Sequence, residues 1–128
     1  GQPKTLKNFF KKIINLNSKL IKLIKKIKKN DQIIHGYGAS TKGNILLQFC
    51  KIGNQEIDFI ADRNILKFNL FTPGTKIKII SEKESRSIKP NYYLVLPWHF
   101  KKEIIKRKIK IRKKGVKFIF PLPKIKIV

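Results

Sequence analysis

Apolar residues at Leu6, Phe9, Ile13, Leu16, Leu20, Leu23 and Ile27 recur at alternating steps of three and four, the period of one helix face. Phe10, Ile14, Ile21 and Ile24 widen that stripe, and lysines cover the rest. A long basic amphipathic helix is therefore predicted, ended by Asn30-Asp31. Such a helix suits a membrane surface or a partner groove, and it equally suits packing on its own domain or on a preceding one. From residue 32 the pattern changes. Short β-branched and aromatic runs at 32–36, 57–61, 76–80, 92–96 and 116–120 alternate with helical segments at 41–51, 81–89 and 100–114. Ser81 with Glu84 reads as a capping box, and Gly115 stands where a helix C-cap glycine belongs.

Strands that alternate with helices imply parallel pairing through right-handed crossovers. The expected fold is α/β: a small Rossmann-like parallel sheet of about five strands, order 3-2-1-4-5, with flanking helices and a long N-terminal helix. Residues 1–30 are assigned to an amphipathic connector helix and 31–128 to the Rossmann-like domain. The connection 63–75, which contains Pro73-Gly74, has no clear period; connections of that length often carry a binding role.

The turn after the first strand holds the most pointed chemistry. Gly36-Tyr37-Gly38-Ala39-Ser40-Thr41-Lys42-Gly43-Asn44 links a strand-like run to the helical Ile45, Leu46, Leu47 and Phe49. Glycines permit φ > 0 and a close approach, and the open amides of a first helical turn favour an anion. Ser40 and Thr41 suit N-capping, and Lys42 supplies a point charge. The glycine spacing is neither the dinucleotide fingerprint nor the P-loop. In an open parallel sheet, ligands bind outside the carboxyl ends where strand order reverses. Here that crevice is expected between strands one and four, lined by this turn and by Pro97, Trp98, His99 and Phe100. Asp62, ending strand two, suits a ribose hydroxyl or a local ion pair with Arg63. His35 reads as a core residue, and Trp98 as either a ring-stacking surface or a core anchor. Thr72–Thr75 reads as a turn.

Charge widens the choice of partners. The 128 residues carry a formal net charge of +24, a field that attracts polyanions, so a nucleic-acid-binding module is one alternative and a free-standing dinucleotide-binding domain another. The composition also reads as drift under AT-rich codons, with 23 Ile and only two Ala, and lysines spread along every element. The single Cys50 excludes an internal disulfide and a cysteine-based metal site. No apolar run is long enough to span a membrane, and the basic start lacks the core and cleavage site of a secretory signal; a cytoplasmic location is expected.

Five motifs in order carry a family resemblance: Gly36 to Asn44, Leu46-Leu47-Gln48, Asp62-Arg63-Asn64, Thr72-Pro73-Gly74-Thr75 and Leu96-Pro97-Trp98, with Phe118 to Pro123 as a closing strand. Together they resemble the C-terminal domain of sugar C-methyltransferases, over roughly residues 31–123. His99 stands where the family pattern has Asn. The resemblance implies an S-adenosylmethionine-dependent enzyme that methylates a nucleotide-activated deoxy-keto-sugar. It also implies that the methyl donor and catalytic base belong to a preceding methyltransferase domain or subunit, so this chain is not catalytic alone. Substrate contacts are then expected from Gly36, Tyr37, Gly38, Ala39, Ser40, Thr41, Lys42, Gly43, Asn44, Asp62, Pro97, Trp98 and His99, with the pyrophosphate on the turn amides and no metal.

Overall fold

The structure is a computed structural model, and it describes residues 2–128, with side chains from Thr5 onward. Among these residues the order is α1 (Gln2–Lys29), β1 (Ile34–Tyr37), α2 (Thr41–Cys50), β2 (Phe59–Asp62), β3 (Lys78–Ser81), α3 (Glu82–Ile88), β4 (Tyr92–Val95), α4 (Lys101–Arg107), α5 (Ile109–Lys113), β5 (Lys117–Phe120) and β6 (Lys126–Ile127). One six-stranded sheet runs β3-β2-β1-β4-β5-β6. The first five strands pair in parallel. The sixth, β6, pairs antiparallel with β5. It is an addition to the expected sheet, too short for its two residues to display an alternation.

Strand order reverses between β1 and β4, which lie side by side from Ile34↔Tyr92 to Tyr37↔Val95. Right-handed crossovers therefore put α2 on one face and α3 and α4 on the other. Side-chain contacts agree. His35 and Tyr37 share one side of β1; His35 meets Ser85 of α3, and Tyr37 meets Arg107 of α4. The intervening Gly36 takes the opposite side, where an added Cβ would come within 2.7 Å of Ile60 Cγ1.

Burial explains the amphipathic N-terminus. Ile13, Leu16, Leu20, Ile24 and Ile27 are buried and join the same apolar cluster as Ile34, Leu46, Leu47, Ile60 and Leu94. The expected helix over 100–114 is interrupted. A 3-10 turn, Trp98–Phe100, leads into α4, and the backbone of Lys108 leaves helical geometry (φ −103°, ψ 21°) before α5. The Lys108 ammonium lies 2.7 Å from Glu82 Oε1 at the start of α3, so this break coincides with an ion pair joining two helices on one face.

The aperiodic connection is also ordered. A 3-10 turn (Ile65–Lys67) is followed by a strap that runs antiparallel along the outer edge of β3. Asn69 N–H donates to Ile79 O (2.8 Å), Ile79 N–H to Leu70 O (2.8 Å) and Thr72 N–H to Ile77 O (2.9 Å). An open edge strand invites pairing with another chain; this strap occupies the β3 edge. No helix among the described residues is long and apolar enough to cross a membrane.

Candidate functional site

A cleft of about 740 Å³ opens beside the carboxyl ends of β1 and β4. Of the turn out of β1, Lys42 lines it, together with α1 residues, residues 98–103 and Leu122-Pro123. Gly38 (φ +81°) lies so close to the β4 exit that a Cβ there would come within 2.8 Å of the Pro97 ring. One on Gly43 would collide with Leu96 Cβ. Glycine at these two positions lets the turn and the Leu96-Pro97-Trp98 segment touch. The expected convergence of the two motifs is therefore seen in space.

Most of the turn's hydrogen-bonding capacity is spent within the protein. Gly38 N–H donates to Ala61 O (2.8 Å) and Ser40 N–H to Gly38 O (3.0 Å). Gly43 N–H donates to Ser40 Oγ at 3.1 Å, so Ser40 is the N-cap of α2. Asp62 Oδ2 accepts from Ala39 N–H at 2.8 Å, and its Oδ1 accepts from Asn64 N–H at 2.7 Å. Asp62 is thus a strut that clamps the turn to the end of β2, through backbone amides rather than through Arg63. Lys67 Nζ adds a second clamp on Ala39 O (2.8 Å). Among the described residues no acceptor is recorded for the amides of Thr41 and Lys42, and both residues are exposed.

Aromatic residues divide between wall and core. Trp98 is buried, with Phe9 stacked on it (centroids 6.1 Å apart, 23° between planes) and His99 against it (5.4 Å, 29°). It anchors the α1 packing and also lines the cleft. Tyr37 points the other way, into a cluster with Tyr93 and Phe118, where its hydroxyl accepts from Arg107 at 2.8 Å. Burial there raises the Tyr37 pKa to about 12, and this ring, expected among the substrate contacts, packs into the core instead. Burial would raise Glu82 beneath it, but the Lys108 ammonium and the Tyr37 hydroxyl hold its carboxyl below the usual range.

Cations dominate the cleft: among the described residues, Lys12, Lys42, Lys101 and Lys102 line it against the single carboxylate of Glu103. Lys42 Nζ also sits 5.7 Å over the Phe9 ring, a cation–π contact that steadies the ammonium near the opening. His99 is exposed at the cleft, and desolvation together with Lys42 and Lys12 lowers its pKa. Phe9, Lys12, Lys101 and Lys102 escaped the motif reading, because α1 and α4 reach the cleft only through tertiary packing. Phe9 carried a weak signal, lying on the periodic apolar face of α1.

S-adenosylmethionine brings a sulfonium and an ammonium, and four lysines around one carboxylate repel that charge. Asp62, the residue expected to suit a ribose hydroxyl, is not among the residues that line the cleft, and each of its oxygens holds a backbone amide. The cleft does not fit that cofactor. Its charge is of the sign that attracts an anion.

The sequence model of the family described as C-methyltransferase C-terminal domain matches residues 1–123. The chain is also 34% identical over 113 residues to the C-methyltransferase NovU of Streptomyces niveus. That match takes in 88% of this chain and 27% of the relative, so the chain spans about a quarter of the relative's length. Two of the short motifs, the turn and the Leu96-Pro97-Trp98 segment, meet at one cleft in a Rossmann-like sheet, and the family match runs from residue 1 to Pro123. The chain belongs to the C-methyltransferase C-terminal domain family.

Proposed function

We propose that this domain is the substrate side of an S-adenosylmethionine-dependent C-methyltransferase whose substrate is a nucleotide-activated deoxy-keto-sugar. The carrying observation is the cleft itself. Its volume of about 740 Å³ suits a ligand of that size, and Lys12, Lys42, Lys101 and Lys102 offer charge to a pyrophosphate beside the Trp98–Phe9 stack. The free amides of Thr41 and Lys42 at the α2 N-terminus add donors of the right polarity. Methylating a carbon next to a ketone needs a base to form the enolate and a methyl group in line with it. A cationic cleft of this kind favours the diphosphate and disfavours the donor, so both catalytic duties fall to a companion methyltransferase portion. Residues of this chain hold and orient the substrate, and Ser40, Gly43 and Asp62 keep the turn in shape.

Calorimetric titration of the chain with a deoxythymidine diphosphate sugar, with S-adenosylmethionine and with inorganic pyrophosphate tests the reading. The nucleotide sugar is expected to bind more tightly than pyrophosphate. Lys42→Ala should weaken it roughly tenfold, about 1.4 kcal/mol. Tight binding of S-adenosylmethionine, or equal affinity for pyrophosphate alone, contradicts it.

A further inference from the structure

Histidine is the side-chain type whose ordinary pKa lies nearest neutrality, and His99 is the one histidine that lines the cleft among the described residues. The other, His35, is buried against Ser85. Packing holds the His99 ring in place. It stacks on the buried Trp98 (centroids 5.4 Å apart, 29° between planes), which in turn stacks on Phe9 of α1. The residue is exposed at the opening, and neither ring nitrogen has a hydrogen-bond partner among the described residues. An oriented imidazole with both nitrogens unspent, set among lysines, is equipped to meet an anion.

The field around that ring reverses when an anion arrives. In the free cleft, desolvation, Lys42 of α2 and Lys12 of α1 disfavour the imidazolium. Lys101 and Lys102 of α4 bring further positive charge to the lining, and Glu103 of α4 brings negative charge. A bound phosphoryl group offsets the lysines and offers oxygens to a ring N–H, and both effects favour the charged ring. The face of Trp98 adds to this, because an indole face attracts a cation.

We propose that His99 is a proton-linked ligand of the diphosphate: the neutral ring takes a proton from solvent as the anion binds, and the resulting imidazolium donates its N–H to a phosphoryl oxygen. This rests on the reading above for the identity of the anion and adds a pH dependence to its capture. A group whose pKa is higher in the complex than in the free chain makes binding tighter at acid pH. That gain is lost as pH rises through the value in the complex. Lysines, as a side-chain type, keep their charge over the same range, so a cleft that worked through lysine alone would show no such slope.

With two histidines in the chain, one exposed and one buried, the His99 imidazole can be followed by NMR. It is titrated in the full chain alone, with a deoxythymidine diphosphate sugar and with sodium sulfate, each against sodium chloride of equal ionic strength. Diester phosphates and sulfate stay fully ionised throughout, so neither ligand carries the proton. Saturation with the nucleotide sugar is expected to raise the His99 pKa by about one unit, which by linkage is a roughly tenfold gain in calorimetric affinity between pH 8 and pH 5. His99→Asn, polar but without a titrating group, should flatten that slope and keep the circular dichroism spectrum. Lys42→Ala should raise the His99 pKa in the free chain, because a neighbouring cation is gone. Binding of the nucleotide sugar that leaves His99 where chloride leaves it, or a slope that persists in His99→Asn, overturns the proposal and spares the substrate reading. A rise with sulfate in a chain that binds no nucleotide sugar retains His99 as an anion ligand and sinks only the substrate reading. If neither anion binds, both fall.

Discussion

Single residues in this domain are set by the face of the strand they occupy. His35 is fully buried, its Nδ1 2.6 Å from Ser85 Oγ, which lies 2.6 Å from the Tyr93 hydroxyl. Desolvation lowers its pKa to about 4, against the raising influence of Asp58 and with a lowering one from Lys28. The folded value lies below the unfolded one of 6.5, so the unfolded chain binds the proton first. Stability from the neutral imidazole is then complete above about pH 6.5 and is lost as pH falls towards 4, by roughly 3 kcal/mol in total. Urea melts at stepped pH check this. The slope between pH 4.5 and 6.5 should flatten in His35→Gln, where Glu82, held low, titrates at more acid pH. Cys50 is buried with its thiol pushed up to about 11, which makes it an inert packing residue.

At the scale of elements, α1 carries more than its charge suggests. Leu20 is fully buried within the cluster that includes β1 and α2 residues. Leu20→Ala is expected to cost about 2–5 kcal/mol in chemical unfolding. A loss near zero would mean that the helix is a separable connector, as the division at residues 30 and 31 supposes. The period of α1, the alternation of strands and helices and the two caps at Ser40 and Ser81 were all legible, because each is written in residues near one another in sequence. The break at Lys108 was not, since it coincides with Glu82 arriving from another helix. Nor was the strap: hydrogen bonding to the β3 edge runs through the backbone, and no side-chain period records it. The site divides the same way. The turn and the Pro97-Trp98 segment announced themselves, while the Asp62 clamp, the inward turn of Tyr37 and the lysines from α1 and α4 depend on the finished fold.

For the whole molecule, the question is whether +24 is an instrument or a background. Lysines occur on every helix, but in the cleft four of them face one glutamate. A generic polyanion engages the spread charge and releases many counterions; a diphosphate engages only the local set. Between 50 and 200 mM salt, affinity for a random DNA duplex is therefore expected to fall by about a thousandfold or more, and affinity for the nucleotide sugar by less than about tenfold. Filter binding and calorimetry across that range separate the two. Duplex binding that resists salt and discriminates between sequences would favour a nucleic-acid module instead.

The bond from Ala39 N–H to Asp62 has a kinetic consequence. A loop already fastened at both ends needs no folding step when its ligand comes, so little conformational freedom is surrendered at capture. If the proposed substrate is captured here, recognition is closer to a key entering a finished lock than to a hand closing, and any closing movement would be hinged outside this turn.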